Sequence, residues 1–382
     1  MQITQIYDFV NTATQEALGE TTVVAEDLSN IVDIGTAIFN ANAMDKYVKA
    51  LVSRIGRTIF VNRVYQGSAP SVLMDSWEYG SVLQKVSMGL PEATENETWE
   101  LTDGQSYDPH IFHAPKDVQA KYFNKYVTFE VDMSFTEEQL KMSFTSSEQM
   151  NGFISMIYTQ VDNTMTVKID ELIRRTINNM IGETIHSADI ARAINLLTMY
   201  KAAYPADTTI TAETCMNNPD FIRYAAYIIK LTHGRMKCMS TVFNEGGQPR
   251  HTPTDLSHIV LLEDFASGAD VFLQSNTFHD ELSALPTAET VPYWQGSGTG
   301  FAFEDVSTIN IKTVQGNTVE QSGIIGVMFD RWALGVGNLG RKVTSEWTPN
   351  AEFFTNFYKY KAAYYNDFNE NFVVFYVSDS DK

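Results

Sequence analysis

Cysteine is scarce: Cys215 and Cys238 are the only two in 382 residues. No His or Cys cluster surrounds them, so they supply neither a disulfide framework nor a zinc-ligand set, and free thiols suit a reducing compartment. Cations are outnumbered as well, with 27 Lys+Arg against 47 Asp+Glu and a formal charge of −20. Gripping nucleic acid through its phosphates needs a surplus of Lys and Arg, so anything beyond weak, non-specific contact with DNA is excluded. No apolar run approaches the roughly 18 to 20 residues of a membrane helix, so no membrane partner is expected. The N-terminus lacks the basic and apolar segments of a secretory signal, and the chain reads as soluble and cytoplasmic.

Catalytic motifs are also missing. Gly335-Val-Gly-Asn-Leu-Gly340 satisfies the dinucleotide fingerprint, but Arg341–Pro349 reads as strand and turn where a helix should open, so a glycine-rich turn is expected. His110 and His113 sit three apart without further ligands at zinc spacing, which leaves them as solvent-facing side chains and no metal or other cofactor to name. There is no Walker A sequence and no G-x-S-x-G. Acidic pairs such as Glu137-Glu138 and Glu263-Asp264 are common in any acidic protein, and the first pair suits a helix's first turn. No catalytic constellation emerges.

What is present is globular: hydrophobic residues make up 44% and aromatics 12%, in a chain long enough for about two or three domains with a real core. Ile3, Ile6, Phe9, Val10, Ala13 and Ala17 recur at helical intervals and Gly19 closes that helix. A second helical pattern runs from Asn42 to Gly56 through Met44, Tyr47, Val48, Leu51 and Ile55, with a mixed connector between the two. So little local core implies that this region packs against something else.

Val127, Phe129, Val131 and Met133 alternate with polar residues as a half-buried strand, and Val82, Val86 and Met88 share the parity of a weaker one. Between them lies a long polar stretch, Gly89 to Lys121, with the acidic run Pro91–Glu100. Loops of that length are uncommon in compact domains, and a two-stranded ribbon is not stable alone. Support from a neighbouring molecule and a solvated insertion on an enzyme surface both fit.

From Met150 through Phe153, Ile157, Val161, Met165, Ile169, Leu172, Ile173, Ile177 and Ile181 one apolar stripe persists at spacings of three and four. Ser146 or Ser147 caps it and Gly182 follows it, giving a helix of roughly 54 Å lying across a sheet. Residues 187–321 read as an inserted α/β block. It carries helices at Asp189–Tyr200 and from Pro219 to about Met239, then strands at Ser240–Asn244, Ser257–Glu263 and Val306–Val314. Its loops fall at Glu245–Pro253 and Gly296–Gly300. The chain closes with strands at Ile324–Phe329, Lys342–Trp347, Phe353–Tyr365 and Phe372–Val377.

This order of N-terminal arm, acidic β-arm, very long helix, inserted α/β block and return through Gly323-Ile-Ile-Gly-Val-Met-Phe-Asp-Arg331 resembles the major capsid proteins of tailed bacteriophages, of the Hong Kong 97-type fold. The resemblance spans nearly the whole chain and rests on order and size, since the family has no short motif. It implies an α+β fold with an N-terminal arm at 1–65 and an extended loop at 66–133. A peripheral domain would comprise 134–186 and 322–382, and an axial domain 187–321. It further implies a non-enzymatic subunit that assembles with itself into pentamers and hexamers of an icosahedral shell around DNA in the host cytoplasm. A scaffolding protein, a portal and a decoration protein would be its partners. Contacts between subunits are then expected at Lys85, Glu92, Glu95, Trp99, His110, His113 and Lys116 of the loop and at Arg250 and Gly298 near the capsomer axis. Some members crosslink covalently, but no Lys–Asn pair is marked for it here, Lys85 and Lys116 included. The alternatives are an encapsulin-type nanocompartment shell and a soluble hydrolase with its site in 187–321, around Glu263 and Asp264.

Overall fold

The computed structural model describes residues 3–19, 30–41, 70–74, 82–91, 118–136, 147–187, 189–207, 209–274, 288–295, 306–350 and 353–380, with a few isolated positions between. The first two helices are α1 (Ile3–Leu18) and α2 (Ile31–Asn40). Gly19 ends α1, its N–H returning to the Gln15 carbonyl at 2.9 Å. The connector expected between the N-terminal patterns thus contains a helix. Gly35 weakens its local signal, but Ile34 and Ile38 are buried in the same core as Val10 and Ala13 of α1, and that packing carries it. The helical pattern from Asn42 to Gly56 lies mostly outside the described residues. Tyr47, within it, is buried in that core.

A long helix, α3 (Ser147–His186), has 40 residues and a length of about 60 Å. It runs past Gly182, where the sequence reading stopped. From Glu171 to Ile185 almost every position is buried, and only Glu171, Arg175, Asn179 and Glu183, one per turn, keep partial or full exposure. The reason is burial from two sides: this half of the helix lies between two sheets, not across one. The apolar side chains expected earlier on the stripe, Met150 to Ile157, lie outside the described side chains.

One sheet orders its strands β1 (Leu73–Met74), β11 (Leu334–Thr348), β12 (Phe353–Asn366) and β4 (Tyr126–Thr136). Asn356, Tyr358, Tyr360 and Ala362 are buried on its inner face, while Thr355, Lys359 and Lys361 alternate outward. The glycine-rich segment 335–340 is part of β11 and not a turn, with a bulge between Asn338 and Gly340. Gly335 is required by close packing, because a Cβ there would lie 2.5 Å from the Met74 sulfur and 2.7 Å from the Tyr365 ring.

The second sheet orders β5 (Ala193–Asn195), β13 (Phe372–Tyr376), β10 (Ile324–Asp330), β6 (Ser257–Leu262) and β7 (Glu289–Val291). Strands β10 and β13 are buried along their whole length, and apolar but for Asp330 at the end of β10, because both faces are covered. On one face Val260, Val327, Phe329 and Val374 join α3 and the first sheet in one core. On the other, Ile259, Leu261, Met328, Val373 and Phe375 pack on α4 (Leu196–Ala203), α5 (Pro219–Met236) and α6 (Glu263–Gln274). This sheet therefore takes strands from both sides of residue 322. Asn218 caps α5 through its side-chain oxygen, with Pro219 at the first helical position.

Ser240–Asn244, expected as a strand, makes only a single bridge between Ser240 and Arg250. The Asn244 side chain closes the 244–248 turn by accepting the Gln248 N–H at 2.8 Å and donating to its carbonyl at 2.7 Å, which diverts the chain from a ladder. A hairpin of β8 (Ile309–Lys312) and β9 (Thr318–Gln321) packs against the C-terminal half of α3.

Candidate assembly surface

Strands β2 (Leu83–Ser87) and β3 (Gln119–Phe123) pair only with each other among the described residues, forming a two-stranded antiparallel ribbon. It leads directly into β4. The parity of β2 is the reverse of a strand with its apolar side inward. Val82, Val86 and Met88 face solvent, while Leu83, Lys85 and Ser87 turn toward the body. With Val118 and Tyr122 of the opposite strand they form an exposed apolar face, on which Val86 is 62% and Tyr122 64% exposed.

The inner side of the ribbon is held by charge. Asp367, in the turn after β12, has a side chain only 2% exposed and accepts Lys85 and Lys121 at 2.8 Å each, on separate oxygens. Lys85 also meets Glu370 at 2.7 Å and donates to the Trp332 carbonyl at 3.1 Å. Arg250 reaches the same Glu370 oxygen at 3.5 Å. Burial raises the pKa of Asp367, but hydrogen bonds from Lys121 and Lys85 more than offset it and hold the carboxyl below the usual range. The rings of Phe123 and Tyr365, 5.0 Å apart, add an apolar contact beside the ion pairs.

Behind the base of the ribbon is a cleft of about 370 Å³ between Asn124–Lys125, Asn179 and Glu183 of α3, Lys312–Val314, Tyr364–Asn366 and Phe368. The Glu183 carboxylate accepts the Val314 N–H and holds the β8–β9 hairpin over this end of the helix.

Of the residues expected between subunits, Lys85 and Arg250 converge on Glu370 of their own chain. The loop bearing Arg250 is fastened inward, with Glu245 and Gly246 donating to the Phe368 carbonyl and Thr252 to Asp330. Glu92, Glu95, Trp99, His110, His113, Lys116 and Gly298 lie outside the described residues, as does most of the acidic stretch. Sequence reasoning missed the outward apolar face and Asp367; the alternation of Lys85 with Val86 was its one local signal. Glu263 and Asp264 are exposed in the first turn of α6, where the dipole favours them. Among the described residues no His/Cys/Asp/Glu group could hold a metal ion, and no helix is long and apolar enough to cross a membrane.

Comparison with known proteins gives this architecture its context. The fold is similar to a chain in the capsid structure of Staphylococcus phage Andhra, at 8% identity and a TM-score of 0.51, covering 84% of this chain and 87% of that one. A chain in the capsid structure of cyanophage P-SCSP1u is matched at 12% identity and a TM-score of 0.45, over 84% and 92%. No curated protein sequence matches. A family model for the Phi29-like phage major capsid protein matches residues 10–376, nearly the whole chain and both sheets. That match extends over far more than half of the chain, and the chain belongs to the Phi29-like phage major capsid protein family.

Proposed function

We propose that this capsid subunit assembles into pentamers and hexamers that close as an icosahedral shell around packaged DNA. One chain can tile both rings when its contacts are heterologous and close on themselves, and many weak contacts per subunit then sum. The observation that carries this reading is the ribbon of β2 and β3, tethered at its base and presenting Val86, Tyr122 and their neighbours to solvent. A two-stranded ribbon with an apolar outer face is completed by a second molecule.

On this reading residues 1–65 are the arm, 66–133 the extended loop, 134–186 and 322–382 the peripheral domain, and 187–321 the axial domain. The five-stranded sheet is the wall that the last two share. The loop residues Glu92, Glu95, Trp99, His110, His113 and Lys116, with Gly298, would touch neighbouring copies. Scaffolding, portal and decoration proteins are the partners, assembly takes place in the host cytoplasm, and the subunit performs no catalysis. A charge of −20 keeps its hold on DNA weak.

Electron microscopy and sedimentation of the purified chain, with scaffold added, test the proposal. Rings or shells are expected from the wild type and are lost in a Val86→Asp/Tyr122→Asp variant that keeps its fold. A wild-type chain that stays a 43.0 kDa monomer under every assembly condition would overturn it.

A further inference from the structure

Lys85 and Lys121 are directly opposite each other in the β2–β3 register. Two like charges at such a pair oppose strand pairing, so the ribbon carries an element that would open it. Asp367 cancels that element: its Oδ2 accepts Lys85 and its Oδ1 accepts Lys121, each at 2.8 Å. One buried carboxylate thus bridges both strands at a single rung and ties that rung to the body.

The carboxylate is itself fixed. The Asp367 N–H donates to the Ala333 carbonyl at 2.7 Å, and the Asn369 N–H donates to Oδ1 at 3.1 Å. Charge-assisted bonds to a group with so little rotational freedom set direction as well as attachment. Glu370, which Arg250 also reaches, gives Lys85 a second carboxylate, whereas the ion pair of Lys121 among the described residues is with Asp367.

We propose that Asp367 is the positioning residue of the ribbon: by clamping an otherwise repulsive lysine pair it fixes the angle at which the ribbon leaves the body and presents its apolar face. This rests on the reading above, in which that face meets another copy of the chain. The clamp is an intramolecular claim and can be read independently of assembly.

The test uses the full chain, with amide hydrogen exchange and shell yield measured side by side. In Asp367→Asn the amides of residues 83–87 and 119–123 exchange at least about tenfold faster, those of β10 and β13 are unchanged, and shell yield falls. Adding Lys121→Met to Asp367→Asn removes the repulsion, leaves Lys85 on Glu370, and restores part of the protection and of the yield. A residue that merely stabilised its own turn would show no such rescue. Because Asp367 also organises that turn, Lys121→Met alone is the companion if the Asn variant fails to fold; its loss of one tether speeds exchange in β3 more than in β13. Wild-type exchange in the ribbon of these variants, no rescue in the double variant, or a loosened ribbon that still builds shells at wild-type yield would each overturn the proposal. If the wild type itself builds no shells, the assembly reading fails while the exchange comparison still decides the clamp.

Discussion

Val327 and Met328 are neighbours on β10, yet their side chains belong to different cores, Val327 to the one around the long helix and Met328 to the one around α4, α5 and α6. Strand alternation makes this unavoidable once both faces of the sheet are covered. The same split recurs at Val260 and Leu261 on β6 and at Val374 and Phe375 on β13. The sheet is a shared wall, and disturbance of one core is felt in the other through these strands.

The burial of α3 from two sides sets a contrast between its faces. Ile177→Ala, at a fully buried position, is expected to cost about 2–5 kcal/mol in denaturant unfolding. Glu171→Ala, which removes an exposed ion pair with Lys168, should stay within about 0.5 kcal/mol. Equal costs would mean that the helix is not sandwiched as described.

Two glycines should respond oppositely to alanine. At Gly182, inside α3, an added Cβ would sit 3.5 Å from the Ile311 Cβ, an ordinary contact, so Gly182→Ala gains up to about 1 kcal/mol of helix propensity. At Gly323 the backbone has φ +72° and a Cβ would lie 2.4 Å from the Val377 carbonyl oxygen. Gly323→Ala should lose at least about 2 kcal/mol, and thermal or chemical unfolding of the two variants measures both.

The thiols differ in reach. Cys238 is exposed, whereas Cys215 is buried against α4–α6 and burial pushes its thiol up to about 11. An alkylating reagent at neutral pH should therefore modify one thiol per native chain, identified as Cys238 by peptide mapping, and both after unfolding.

Acid should weaken the ribbon's anchor. The folded pKa of Asp367 is lowered, so on acidification the unfolded chain takes up its proton first. The stabilisation is fully present above the ordinary carboxylate value of about 3.9 and is lost as pH falls through the lower folded value. The loss of ribbon protection in Asp367→Asn relative to wild type should be largest near neutral pH and shrink at acid pH. Taking this difference isolates Asp367 from Glu370 and Asp330 nearby.

Much of the architecture was legible because it is written in local periodicity. The alternation at Val127–Met133 became β4, the apolar run at Ile324–Phe329 became β10, and the stripe through Ile173 and Ile177 became part of the long helix. Two elements read otherwise from the sequence are places where a distant partner overrides a local signal. Gly335 looked like a turn former, but it lies in a strand because β12 pairs along it, with Tyr365 opposite, and Met74 and Tyr365 leave little room for a side chain there. Gly182 looked like a helix end, yet the hairpin at Ile311 packs against it and the helix continues.

By itself the sequence determined the acidic character, the absence of catalytic motifs, the helix and strand periods, and the order of elements that resembles a phage shell subunit. Each is a property of composition or of neighbours along the chain. Tertiary structure alone decided that Lys85 faces inward and Val86 outward, that one sheet serves two cores, and that Asp367 joins both strands of the ribbon. Lys85 and Asp367 are 282 positions apart. No local period carries information across that distance, so the face that β2 turns to solvent is set only when the last strands have closed over the long helix.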